Sequence, residues 1–394
     1  TYTVTSTSCT GPGSITEAMA LANANPGTDT ISITPGLTID ARRNCFNADD
    51  ESSVNWFIVQ ATESVNIEGN GARILGAMEW ATYDGQLSPI GPSAQCPDGS
   101  PTDVLLTLTP GFIKVGDWDE DNPDITVTVE DLEMHELNTV ALIGGQSSLI
   151  LEDVKMHRIL SVVRNCTTPA ITAYPGANFT ARRTEWDTIW NTQGMFGLAN
   201  IGAAISGPAA GGGDLIIEDS TFKDVWQTGV VYWPGETGST VNIVSSIFET
   251  AGGIFVGGAA ESKIVNSIWS DESIGAPRFG SRILNDSSGE LNIVASTLLF
   301  PSVECDSVCQ GTGFNSAGWI FRNSSAGKIN FLQTAVGVNF PDTTPTPATL
   351  LLDPDGGDGF SADEYTWIQP TSQQDATALK TVTNQPNLLT DPPA

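Results

Sequence analysis

The residues best suited to chemistry lie in one short stretch, LILEDVKMHRI from Leu149, which carries Lys155, His157 and Arg158 within four positions. A stretch of the same pattern, VTVEDLEMHEL from Val127, carries His135, so the only two histidines of the chain occupy equivalent places. The next such stretch, FTARRTEWDTI from Phe179, adds Arg182, Arg183 and Asp187. A His, Lys or Arg base beside an Arg that neutralises a carboxylate is the equipment for β-elimination on a uronic-acid polymer. His157 with Lys155 or Arg158, facing Arg182 or Arg183, is therefore the candidate catalytic set. The same residues also suit ion-pair ladders on a solvated sheet.

Two further groups could hold a ligand. Trp190 and Trp226 follow equivalent stretches in WNTQG and WQTGV, and Tyr232 and Trp233 come soon after the second. If exposed, these rings form a platform for sugars or a protein partner; if buried, they are corner packing. The acidic runs DWDEDNPD and DPDGGDG offer Asp117, Asp119, Asp121, Asp353, Asp355 and Asp358 as oxygen ligands for Ca²⁺. Neither run has the spacing of an EF-hand, and both also read as solvated turns. No other cofactor pattern is present.

Seven segments can be written under one another by the rule apolar–x–apolar, polar pair, then a bulky residue three positions on. Aligning Asp131, Asp153, Arg183, Asp219, Ser245, Asn266 and Ala295 gives a repeat of 21 to 36 residues. Short alternating runs at such a period, with Gly-rich intervals, predict a parallel β-solenoid. Successive turns then stack about 4.8 Å apart, so equivalent side chains form columns. Met134, Met156, Trp186, Phe222, Phe248, Trp269 and Leu298 form the inward column. Glu133, Lys155, Glu185, Thr221 and His135, His157, Asp187, Lys223, Glu249 form outward ones.

The repeats occupy residues 125–340. Before them, residues 1–75 read as a cap and first turns, with a helix predicted over Ser14–Asn25 behind a Ser-x-x-Glu capping pattern at Ser14 and Glu17. Laid over the open end, it would hide the first strand. Residues 76–124 read as an irregular excursion, and 341–394 as a Pro/Thr-rich linker with a C-terminal cap or tail.

The chain of 394 residues has 40 Gly, 23 Pro and only 16% charged residues, which suits a loop-rich all-β protein. Its formal charge of −30 opposes nucleic acid, anionic membranes and polyanionic glycans. No apolar run approaches the roughly 20 residues of a membrane span. The six Cys suggest export to an oxidising compartment rather than zinc binding. Cys9 and Cys45 are placed to staple the first turn, and Cys305 and Cys309 are close neighbours. Cys96 and Cys166 remain as a long-range pair.

TVTSTSCTGPGSITEAMALANANPGTDTISI (residues 3–33) resembles the leader of large bacterial surface β-helix proteins of the CSLREA type, matching at Gly11, Gly13, Ser14, Ala22, Asn23, Pro26, Gly27, Asp29, Thr30 and Ile31. GAAISG, DLIIEDSTFKDV and GGIFVGG are similar to repeats of polymorphic-outer-membrane-protein passengers. The resemblance implies a right-handed parallel β-helix, secreted or displayed at the cell surface.

Two functions follow. The first is a non-enzymatic surface or matrix protein, an adhesin, coat component or filament subunit. It would meet a glycan, a protein or its own copies through the solenoid face or ends. The alternative is a polysaccharide lyase or glycoside hydrolase acting in a groove along the sheet. The Asn-Thr-Asp, paired Asp, Gly-His-Gly and Arg-x-Lys segments expected of a pectin hydrolase do not occur.

Overall fold

The computed structural model describes residues 1–41, 45, 57–76, 80–83, 86–89, 93–95, 101–103, 111–116, 124–137, 139–159, 170–189, 203–206, 213–225, 229–234, 238–249, 253–258, 261–270, 283–301, 321–323, 327–339, 351–352, 360–363 and 365–368. The fold is an all-β, right-handed parallel β-helix with one helix near its N-terminus. Each full coil has three legs, as in Ser148–Glu152, Lys155–Ile159 and Ile171–Ala173. First and second legs share a 21-stranded sheet, and third legs form a 10-stranded one. Pairing between coils is parallel and in register, for example Leu149↔Phe179 and Met156↔Trp186.

A single residue turns the first leg into the second. Asp131, Asp153, Arg183, Asp219, Ser245, Asn266 and Ala295, the column aligned in the sequence, all have φ between 48° and 54°. Asn70 and Gln333 extend the column in both directions, with φ of 53° and 51°. This left-handed conformation costs a side-chain-bearing residue roughly 1–2 kcal/mol. Stacking offsets it, because each corner N–H donates to the coil above: Asp153 to the Arg182 carbonyl, Arg183 to Glu218 and Asp219 to Val244, at 2.9–3.0 Å. At the wider corner of Gly69, Asn70 and Gly71 a Cβ on Gly69 would lie 2.2 Å from the Asp131 carbonyl oxygen, so only glycine fits.

The residue after each corner points inward. It is Leu132 and Val154 in two coils, then Thr184, Ser220, Ser246, Ser267, Ser296 and Thr334, all buried. These hydroxyls form a ladder. Ser220, Ser246 and Ser267 each donate their amide to the hydroxyl of the next coil at 3.2–3.3 Å. Ser220, Ser246, Ser267 and Ser296 also donate their own hydroxyl to the carbonyl two residues back, at 2.8–3.0 Å. Beside this ladder run the inward side chains of the second legs. Trp186, Phe222, Phe248 and Trp269 stack with centroids 5.2, 5.0 and 4.4 Å apart. Each is fully buried, stabilising by roughly 1.5–3 kcal/mol.

The helix spans Ile15–Asn23 and lays Ile15, Ala18, Met19 and Ala22 against the first strands. Ser14 Oγ accepts from the Glu17 amide at 3.1 Å, while Glu17 Oε2 accepts from the Gly13 amide at 2.5 Å. Cys9 and Cys45 form a disulfide across 36 residues, a closure contributing about 4 kcal/mol on loop entropy. The other four cysteines lie outside the described residues.

Two expected boundaries move. The excursion at 76–124 contains the hairpins Trp80–Tyr83 with Gln86–Pro89 and Ser93–Gln95 with Pro101–Asp103, and Gly111–Val115 is a third leg of the solenoid. Stacking also continues past 340: Phe360–Ala362 pairs with the leg at Lys328–Leu332, and Trp367–Ile368 pairs with that at Ala335–Asn339.

Candidate functional site

With the ladder of Met134, Met156, Trp186 and Phe222 facing inward, the flanking positions of every second leg face out. The register stacks Arg73, Glu133, Lys155, Glu185 and Thr221 in one outer column. Leu75, His135, His157, Asp187 and Lys223 form the other. The imidazoles of His135 and His157 therefore stack, with centroids 4.8 Å apart and planes 30° apart.

A carboxylate closes each end of this pair. His157 Nδ1 lies 3.3 Å from Asp187 Oδ2, and His135 Nε2 lies 3.4 Å from Glu133 Oε2. Glu133 is shared with Arg73 Nη2 at 2.9 Å and Lys155 Nζ at 4.0 Å. Asp187 Oδ1 also accepts from Thr188 Oγ1 at 3.1 Å. Both imidazoles are about a quarter exposed, at 24% and 23%. They are thus reachable from solvent yet packed enough to be held.

The electrostatics follow from these contacts. The hydrogen bond from His157 holds the Asp187 carboxyl below the usual range against the opposing effect of its own burial. The hydrogen bond from Arg73 does the same for Glu133. Burial, then the nearby His157, disfavours protonation of His135, whose pKa falls despite its contact with Glu133. In the neutral tautomer that puts the proton on Nδ1, facing Asp187, Nε2 of His157 would carry the lone pair. A base oriented by a carboxylate is the arrangement general-base chemistry uses.

The structure brings Lys155 and His157 together, on one leg and one face. It does not bring Arg158 and Arg183 to them. Arg158 has φ of 56° and stands at the far end of the leg, where Nη1 pairs with Glu136 Oε1 at 3.4 Å. Arg183 turns the corner before the leg and is held by Asp153 at 2.8 Å and by Glu152. A five-residue leg of about 3.3 Å per residue lies between those two places, too far for both guanidiniums to meet one sugar carboxylate. Arg182 is likewise bound to Glu218 Oε2 at 2.7 Å.

Trp233 is a correction. Its side chain is 0% exposed and its Nε1 donates to the Gly213 carbonyl at 3.0 Å, so it is core rather than platform. GVVYWP from Gly229 is a third leg apolar throughout, and register turns Trp233 inward beside Val256. Tyr232 pairs with Ser206 and Phe255 in the same sheet. Trp190, Trp226 and the six aspartates expected to bind Ca²⁺ lie outside the described residues. Among the described residues no group of His, Cys, Asp or Glu is arranged to hold a metal, and no helix is long and apolar enough to cross a membrane.

Arg73 is the site residue the sequence alignment omits. Its strand, Val65–Leu75, follows the repeat rule with a corner two residues longer than the others. Allowing that insertion in VNIEGNGARIL would have added this coil to the set.

No family model matches the chain, and no curated protein matches it in sequence. Among solved structures it is similar to an alginate lyase from Paenibacillus sp. str. FPU-7, with 12% identity and a TM-score of 0.48, the match covering 89% of this chain and 97% of the other.

Proposed function

We propose that the protein is a secreted β-helix polysaccharide lyase whose substrate lies along the outer face of the second legs. The observation that carries this reading is His157 held by Asp187 at 3.3 Å, with Lys155 on the same face of the same leg. In β-elimination, Nε2 of His157 removes the C5 proton of a uronic residue. The C4–O bond then breaks, a C4=C5 double bond forms, and the same proton passes from imidazolium to the departing oxygen. Asp187 stabilises that imidazolium. Coils repeat every 4.8 Å or so, close to the length of one sugar in an extended chain, so neighbouring residues meet neighbouring coils. The disulfide Cys9–Cys45 suits an oxidising, extracellular setting.

A second reading is favoured by a different observation. Arg73, Arg158, Arg182 and Arg183 are each paired to a carboxylate, and each reaches into the preceding or following coil for it. Such a face also suits a non-catalytic surface or matrix protein that only binds its partner. Incubation with a panel of uronic-acid polymers, read by the ultraviolet absorbance of the unsaturated product, separates the two. The lyase reading expects turnover that falls about 10²–10⁴-fold in His157→Ala. Binding without turnover by the wild-type protein would refute it and leave the surface protein.

A further inference from the structure

We infer that the polymer this face accepts is an esterified, largely uncharged uronan rather than a free polyuronate. The inference rests on the lyase reading and adds its substrate class. Three observations lead to it.

The first is charge. The chain carries −30, a field that opposes a polyanion and is indifferent to a neutral ester. The second is that no guanidinium is spare among the described residues of this sheet. Each of the four arginines described on this sheet already pairs with a carboxylate, so a uronate arriving there would have to displace an existing partner. An ester has no such need. Its carbonyl already makes the C5 proton more acidic than a carboxylate does, and elimination proceeds with the base alone. The bonds are those given above: C5–H and C4–O break, C4=C5 forms, and the ester group is unchanged.

The third observation is what the face becomes beyond the charged coils. In the column of Lys155, after Glu185 and Thr221, the third and fourth coils on carry Ile247 and Ile268, and in the column of His157 the fifth coil on, after Asp187, Lys223, Glu249 and Ser270, carries Leu299. These side chains are exposed on the solvent side of the sheet, Ile268 at 46% and Leu299 at 48%. Exposed aliphatic side chains on three successive coils, at the far end of the polar columns, suit a chain whose carboxyls are capped by methyl.

The test uses one uronan in two forms, fully methyl-esterified and saponified, with product absorbance and gel-retardation binding measured for both. The inference expects kcat/KM at least about tenfold higher on the ester. It also expects Ile268→Asp and Leu299→Asp, both at exposed positions, to raise KM on the ester several-fold with kcat nearly unchanged. Faster turnover of the saponified polymer overturns the inference and leaves the lyase reading intact. Preference for the ester with no effect of either substitution overturns the apolar subsite. No turnover of either form overturns both the inference and the reading beneath it.

Discussion

Replacing Ser246 by Ala removes one hydroxyl, yet it disturbs two coils. Ser246 Oγ accepts from the Ser220 amide at 3.3 Å and donates to the Val244 carbonyl at 2.9 Å, in a site with 0% exposure. In the alanine variant the Ser220 amide stays buried without its acceptor. A buried donor left so costs about 1–3 kcal/mol, more than the net worth of an ordinary hydrogen bond. The assay should be local, because a stack of coils need not unfold in one step. Amide hydrogen exchange provides this, since local opening free energy sets the protection of each N–H. At about 1.4 kcal/mol per decade, exchange at Ser220 should accelerate roughly 5- to 150-fold. Amides several coils away, such as Val129, should be unchanged. Ser246→Thr keeps the hydroxyl and should exchange as wild type, since Thr184 and Thr334 already occupy this column. Equal protection of Ser220 in the alanine variant and the wild type would refute the claim that the ladder holds the corner.

The stacked rings allow a double-mutant test: Phe222→Leu and Phe248→Leu each keep most of the burial, and the two should couple by about 0.5–1.5 kcal/mol in denaturant unfolding, the worth of the contact at 5.0 Å that they share. Acid should destabilise the fold through the paired carboxyls. Asp187, Glu133 and Asp153 have depressed pKa values in the folded chain, so the stability they confer is full above about pH 4 and is lost as pH falls through their folded values. Asp187→Asn should flatten the melting temperature across that window. His135 is also depressed, so its contribution begins to fall as pH drops below roughly 6.5, and His135→Gln should remove that slope.

The column aligned from sequence turned out to be the left-handed corner, which explains its membership. Asp, Asn and Ser tolerate positive φ through local hydrogen bonding, so they recur there. Arg183 and Ala295 lack that tolerance, and only the alignment of their neighbours places them. The inward aromatic ladder was legible because period-two alternation is rigid once one bulky position is known. The buried hydroxyl ladder was not, since serine beside a turn reads as surface. The adjacency of His157 and Asp187 was legible, because the alignment places them in one outward column. They are 30 apart in sequence, and what needed the structure was the rotamer that turns Nδ1 of one toward Oδ2 of the other.

The same register explains why the total charge is a poor guide to this face. Stacking two carboxylates one coil apart, near 4.8 Å, would cost about 3.5 kcal/mol at an effective dielectric of 20. That cost favours opposite or neutral neighbours, although on the first legs Glu68, Glu130 and Glu152 stack in succession before Arg182 follows. The outer columns of the second legs do alternate: Arg73, Glu133, Lys155 and Glu185 change sign from coil to coil, and Asp187 lies between His157 and Lys223. Arg73, Lys155 and Lys223 balance Glu133, Glu185 and Asp187, so this stretch is neutral within a chain of −30. Part of the acidic excess lies on the first legs, in that stack of Glu68, Glu130 and Glu152. A polymer approaching the molecule meets the field of the whole chain, whereas one seated on the sheet meets a neutral, partly aliphatic ladder. An uncharged ester satisfies both conditions, and a free polyuronate satisfies only the second.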